Sequence, residues 1–251
     1  MSIGIFDSGI GGITVLKEAL QQLPGEDYIY YADTRHVPYG TKPKEEVRGY
    51  IFDAADFFAS KGVEALVVAC NTATSIAIKD LRERYNFPII GMEPAVKPAL
   101  EKADDRRVLV FATPITVREK KLHDLVRSLE SEAVVDMHAL PDLVEFAENF
   151  IFDEDTVIPY LMKELSGHDL KQYGAVVLGC THFIFFRKHF EMLLPKGTDI
   201  IDGNRGTINH LREMLGERKT AGQNLGSIEF YCSGDKASDE TDYTRYLKLS
   251  Y

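Results

Sequence analysis

Cysteine is scarce in this sequence, basic runs are missing and no long apolar stretch occurs, and each absence removes a class of protein. Across 251 residues, 29 Lys and Arg face 39 Asp and Glu, a formal net charge of −10. An acidic chain without a basic run is a poor ligand for DNA, RNA or an anionic membrane surface. No apolar segment approaches the roughly 20 residues needed to cross a bilayer. Gly4, Asp7 and Gly9 interrupt the opening too early for the apolar core of a signal peptide. The first strand pattern begins at Ile3, so no N-terminal regulatory extension is expected. Three cysteines without a targeting segment point to a reducing, cytoplasmic setting. Cys70, Cys180 and Cys232 lack the close spacings of a zinc site, so no metal is expected.

What is present is an ordinary globular composition, 45% hydrophobic and 27% charged, in a chain long enough to bury a proper core. Short apolar runs alternate with helical patterns. Strands are expected at 3–6, 28–32, 65–69, 88–91, 108–113, 134–140 and 174–179. Helices are expected at about 14–23, 44–60, 70–85, 116–129, 142–149, 154–165 and 183–194, the second framed by Pro43 and Gly62. Strand–helix alternation implies parallel sheets, and runs apolar on both faces fit that reading. The phrasing Ile3-Gly4-Ile5-Phe6-Asp7-Ser8 restarts at Val108-Leu109-Val110-Phe111-Ala112-Thr113. The expectation is an α/β protein with two similar doubly wound parallel-sheet halves. One comprises residues 1–95 plus 208–251, the other residues 96–207.

Two of the cysteines have matching surroundings. Ala65-Leu66-Val67-Val68-Ala69-Cys70-Asn71-Thr72 and Ala175-Val176-Val177-Leu178-Gly179-Cys180-Thr181-His182 each run a buried strand into a Cys, then small polar residues, then a helix. A strand-end cysteine is often an inert small hydrophobe. Three features argue otherwise for this pair. Both lie at the carboxyl ends of strands, where open α/β sheets bind ligands. Both precede helices, whose N-terminal amides favour a thiolate. Both are followed by hydroxyl or amide side chains, out of place in an apolar core. Two thiols facing one substrate atom suit proton removal from one face and return on the other, which is racemisation. Cys232 has no such partners and is read as inert.

Asp7-Ser8-Gly9 follows the first strand directly, so Asp7 either caps a helix or serves a thiol, and Ser8 can touch substrate. Gly9-Ile10-Gly11-Gly12 lacks the third glycine of a dinucleotide loop, Thr14 standing in its place. A turn binding a small carboxylate is the simpler reading. His182 can act as positive partner or proton relay for Cys180. Tyr39-Gly40 lies in a Pro-containing loop. Glu145 and Glu148 are expected to be solvated surface charges.

Together these blocks resemble the glutamate racemase family, part of the aspartate/glutamate racemase superfamily, nearly end to end. Asp7-Ser8-Gly9-Ile10-Gly11-Gly12-Ile13-Thr14-Val15 is similar to the opening motif. Ala32-Asp33 with Pro38-Tyr39-Gly40, then Ala69-Cys70-Asn71-Thr72-Ala73, follow in order. Gly91-Met92-Glu93-Pro94-Ala95-Val96-Lys97-Pro98-Ala99 resembles the crossover, and Leu178-Gly179-Cys180-Thr181-His182 the second cysteine block. Phe183-Ile184 departs from a usual Tyr-Pro, Glu119 from a common Ser, and Asp202-Gly203-Asn204 from Asp-Ser. The resemblance implies two flavodoxin-like domains facing across the active site, no cofactor, a homodimer, and D-glutamate made for bacterial peptidoglycan. It also implies that Cys70 serves the D-enantiomer and Cys180 the L-enantiomer. Asp7 and His182 would then be their acid–base helpers. Ser8, Tyr39, Gly40, Asn71, Thr72 and Thr181 would join Asp7 and His182 in contacting glutamate. Racemisation of aspartate or another small acidic amino acid uses the same plan. A superfamily decarboxylase typically keeps one of the two cysteines, and a redox switch in a binding protein would need no substrate turnover.

Overall fold

The computed structural model describes residues 2–216 and 226–251. The first half runs β1 (Ile3–Asp7), α1 (Ile13–Gln22), β2 (Tyr28–Ala32), α2 (Lys44–Lys61), β3 (Ala65–Val68), α3 (Asn71–Arg84) and β4 (Ile89–Gly91), and α4 (Val96–Lys102) then packs against the second sheet. The second half runs β5 (Arg107–Ala112), α5 (Pro114–Arg118), α6 (Lys120–Ser128), β6 (Val135–Ala139), α7 (Asp142–Glu148), α8 (Glu154–Leu165), β7 (Tyr173–Leu178), α9 (Arg187–Leu193) and β8 (Asp199–Asp202). The chain continues through α10 (Asn204–Leu215), β9 (Ile228–Cys232), β10 (Asp235–Lys236) and α11 (Thr241–Leu247).

These strands form two sheets, ordered β10-β9-β2-β1-β3-β4 and β6-β5-β7-β8. All pairings are parallel except that of β10 with β9. Every residue of β1, β2, β3 and β7 is buried, as continuous Val, Ile and Tyr runs covered by helices on both faces require. The return to the first sheet is made by β9, which lies parallel to β2 with Ile228 opposite Tyr28. That strand, β8, α10 and α11 were not among the elements expected from periodicity.

One apolar cluster is shared by both sheets, joining Ile5, Tyr30 and Val67 of the first to Leu109, Leu178 and Phe186 of the second half. α1 sits at the seam, packed on α10, α11 and the 3-10 turn Thr181–Phe186. Two expected helices differ in form. The 116–129 segment is two helices broken at Glu119, whose backbone is extended (φ −69°, ψ 136°). The 183–194 helix is preceded by the 3-10 turn from Thr181 and becomes α-helical only at Arg187.

Candidate active site

The site is assembled where strands stop. Asp7 is the last residue of β1, and Cys70 lies just beyond β3. Phe6 pairs with Val68 in the parallel ladder, so the two strand ends lie side by side. Cys180 occupies the equivalent place beyond β7. Ligands of open α/β sheets bind at such carboxyl ends.

Cys70 is the N-cap of α3, and its sulfur accepts the Ala73 N–H at 3.4 Å. The Cys70 Sγ lies 3.6 Å from the Ser8 hydroxyl oxygen. Burial, and secondarily the Asp7 carboxylate, pushes the Cys70 thiol up to about 12, against weaker opposition from the Ala73 N–H and the Ser8 hydroxyl. The Cys180 charge adds a smaller upward push, so the two sulfurs are electrostatic neighbours. Cys180 Sγ lies 3.8 Å from His182 Nδ1. Both cysteines are buried and free of disulfides.

Asp7 is fully enclosed. One carboxylate oxygen accepts the Gly9 N–H at 3.0 Å, the other the Thr181 hydroxyl at 3.0 Å from the opposite half. Burial raises its pKa, while His182, the Gly9 amide and Thr181 pull the other way. His182 is governed by a similar contest with the opposite winner. Burial alone would disfavour the imidazolium, but Cys180 and Glu148 outweigh it and hold the ring well above the usual histidine value.

Glu148 corrects an expectation. Glu145 is exposed, but Glu148 is not a solvated surface charge. Its Oε1 lies 2.7 Å from His182 Nε2 and accepts the Ile10 N–H at 2.9 Å. The available signal was spacing: Glu148 falls one turn after buried Val144, on the packed face of α7.

Thr72 bridges the halves as well. Its hydroxyl lies 2.9 Å from that of Thr113 and 3.4 Å from that of Thr116, which are 3.0 Å apart. Thr113 and Thr116 were not singled out in advance. Gly40 meets this cluster, since a Cβ on it would sit 2.6 Å from Thr113 Cβ. The Tyr39 hydroxyl donates to Asp33 at 2.5 Å. The phenol is thus engaged by the side chain of Asp33 within the same loop. Asp33 also accepts from Ser233 at 2.7 Å and sits 2.9 Å from His36 Nδ1, anchoring the 33–40 loop. Asn71 is buried with its side-chain oxygen unpartnered and its nitrogen 3.5 Å from the Met92 carbonyl. Cys232 lies apart, 2.7 Å from the Thr34 hydroxyl. Among the described residues, no group of three His, Cys, Asp or Glu could hold a metal, and no helix is long and apolar enough to cross a membrane.

Two thiols, each with an ionisable neighbour, thus stand at the strand ends of two sheets, in a chain that matches the Asp/Glu/hydantoin racemase family. That family's model matches residues 8–211. The chain is 60% identical to a glutamate racemase of Halothermothrix orenii, over 99% of this chain and 98% of that one. A crystal structure of a glutamate racemase isoform from Bacillus anthracis superposes with a TM-score of 0.85 at 29% identity, covering 98% of this chain and 93% of the other. The Escherichia coli glutamate racemase, solved with L-glutamate, superposes with a TM-score of 0.79 at 30% identity, covering 90% and 88%. The chain belongs to the glutamate racemase family: it is an isomerase, an amino-acid racemase.

Proposed function

We infer that the chain interconverts L- and D-glutamate by a two-thiol route without a cofactor. The observation that carries this reading is the placement of two buried cysteines at matching strand ends, each beside its own charged helper. For the D-enantiomer, Cys70 as thiolate takes the α-proton and becomes a thiol. Cys180 as thiol then gives its proton to the opposite face and becomes a thiolate. For the L-enantiomer the roles exchange. An α-proton is far less acidic than a thiol, so both base and carbanion need help. A Cys70 thiol held near 12 makes its thiolate a stronger base than an exposed one, which narrows the gap. The carbanion is stabilised by neutral donors in a site closed to water: Ser8, Asn71, Thr72, Thr181 and the Gly40 amide. Asp7 helps at the Cys70 face and His182, backed by Glu148, at the Cys180 face.

This assignment divides the chain into 1–95 with 208–251, carrying Asp7 and Cys70, and 96–207, carrying Cys180. It places the enzyme in the cytoplasm as a homodimer, with D-glutamate passing to peptidoglycan synthesis. The test is circular dichroism of D-glutamate incubated with reduced enzyme and no added cofactor, run in deuterated water. The signal should decay to zero, with deuterium at Cα of the inverted product. An unchanged signal, or inverted product keeping its original proton, would overturn the reading. Running D-aspartate alongside separates glutamate from aspartate as the substrate.

A further inference from the structure

We propose that Tyr246 is a positioning residue for this reaction: its hydroxyl, reaching from the C-terminal helix α11, fixes the end of α7 and so keeps the Glu148 carboxylate on His182. The proposal rests on the two-thiol reading above and extends it by a third layer of residues. The Tyr246 hydroxyl donates to the Ala147 carbonyl at 2.7 Å, with the Glu148 carbonyl at 3.3 Å. Both carbonyls belong to the last turn of α7, and the Ala147 carbonyl also accepts the Phe150 N–H at 3.0 Å, so the Tyr246 hydroxyl is a second donor to it.

The helix has seven residues and Glu148 is the last of them; its end is a closed turn, with the Asn149, Phe150 and Ile151 N–H groups donating to the Glu145, Ala147 and Phe146 carbonyls, and it is this turn as a unit that the Tyr246 hydroxyl places. Two residues further on, Phe150 adopts a left-handed backbone (φ 56°), a conformation that strains a bulky side chain. α11 holds that residue too. The Arg245 guanidinium lies 3.2 Å from the Phe150 ring centre, and the Tyr246 ring meets it edge-on at 5.1 Å.

α11 is itself fixed to the other half of the molecule. Tyr243 stacks on Phe230 of β9 at 4.8 Å and meets Tyr30 of β2 edge-on at 5.9 Å. Glu148 thus stands between two elements of that half: Ile10 N–H on its carboxylate and Tyr246 on its backbone. Its Oε1 must serve both Ile10 and His182, at 2.9 and 2.7 Å. A displacement on the order of 1 Å at the end of α7 would lengthen these contacts beyond hydrogen-bond range. His182 faces Cys180 from the β7 end, Asp7 from β1 and Glu148 from α7. Of these, only Glu148 is braced by Tyr246.

Tyr246→Phe removes the hydroxyl and keeps the ring among Phe150, Phe152 and Phe185. The first measurement is the His182 titration by NMR of histidine-labelled protein, assigned with His182→Asn. The expected result is a fall in the His182 pKa of about half a unit or more, because its carboxylate partner is loosened. The second is kcat/KM for glutamate, expected to fall about tenfold. In a Glu148→Gln background the same substitution should add no more than about a twofold loss. An unmoved His182 titration, or a loss that adds in full to that of Glu148→Gln, would overturn the proposal. Wild-type protein that does not racemise glutamate would refute the racemase reading instead, while the titration still decides the role of Tyr246.

Discussion

In the proposed two-thiol route each cysteine works on a face of the substrate that the other cannot reach, so neither can replace its partner. Cys70→Ala and Cys180→Ala should each abolish racemisation while leaving the fold intact, measured as loss of the circular dichroism decay with an unchanged far-ultraviolet spectrum. Substantial racemisation by either variant would remove the two-base scheme. Burial of Cys70 also has a thermodynamic signature. Its folded pKa of about 12 exceeds the ordinary thiol value of 9.0. A raised folded value means stability that is fully present below the unfolded pKa and lost as pH rises through the folded one. The three-unit gap corresponds to a limit of about 4 kcal/mol, with about 2 kcal/mol gone by about pH 10.5. His182 and several buried tyrosines are also raised and act in the same direction, so the useful quantity is a difference. Between about pH 8.5 and 10.5, wild-type Tm should fall more steeply than that of Cys70→Ala. Parallel curves would show that the thiol is not held up by burial.

At the scale of elements, the two halves meet through backbone. The turn after β1 presents Gly11 to the second half, and a Cβ on it would sit 2.4 Å from His182 Nδ1 and 2.5 Å from Thr181 Oγ1. Neither side chain can retreat freely, since Thr181 is bonded to Asp7 and His182 to Glu148. Gly11→Ala should therefore lower kcat/KM by about 100-fold through misplacement of the imidazole. Its stability should fall only by about 1–3 kcal/mol, as for other overpacked sites. Steady-state kinetics beside denaturant unfolding separates the two effects, and near-native kcat/KM would contradict the tight seam. Periodicity alone located β1 to β7 and the helices between them except α4, because strands buried on both faces read as unbroken apolar runs. Both cysteine blocks were legible because strand, thiol and hydroxyl stand next to one another in sequence. Glu148, Thr113 and Thr116 were not, because their partners Ile10, His182 and Thr72 are distant in the chain. The break at Glu119 was hidden for another reason: extended backbone there leaves no mark in the apolar spacing. β9 and α11 escaped because Glu229 interrupts one and Asp242 and Arg245 fall within the other, diluting the pattern.

For the whole molecule, the charge balance is at odds with the substrate. A chain of net charge −10 must take up an amino acid that is itself anionic at neutral pH, so recognition has to be local. Asp7, Ser8, Asn71, Thr72, Thr181 and His182 are all at most 5% exposed, so the side chains proposed to meet the substrate are enclosed by protein in this structure. The donors proposed to hold it are neutral: hydroxyls of Ser8, Thr72 and Thr181, the Asn71 amide and the Gly40 N–H. None of the described hydrogen bonds of these hydroxyls or of the Asn71 side chain involves Lys or Arg. Such a site discriminates by what it leaves unpaired. A substrate without a side-chain carboxylate strands buried donors at about 1–3 kcal/mol each. Two stranded donors are enough for a penalty near 3 kcal/mol, which is about 100-fold in kcat/KM. D-alanine and D-2-aminobutyrate should therefore be turned over at least about 100-fold less efficiently than D-glutamate. The deficit should appear in kcat as well as KM, because in the proposed site the same donors position the reacting carbon. Comparable efficiency with D-alanine, or an arginine seated on the side-chain carboxylate in a ligand-bound crystal structure, would show that a different set of groups reads the substrate.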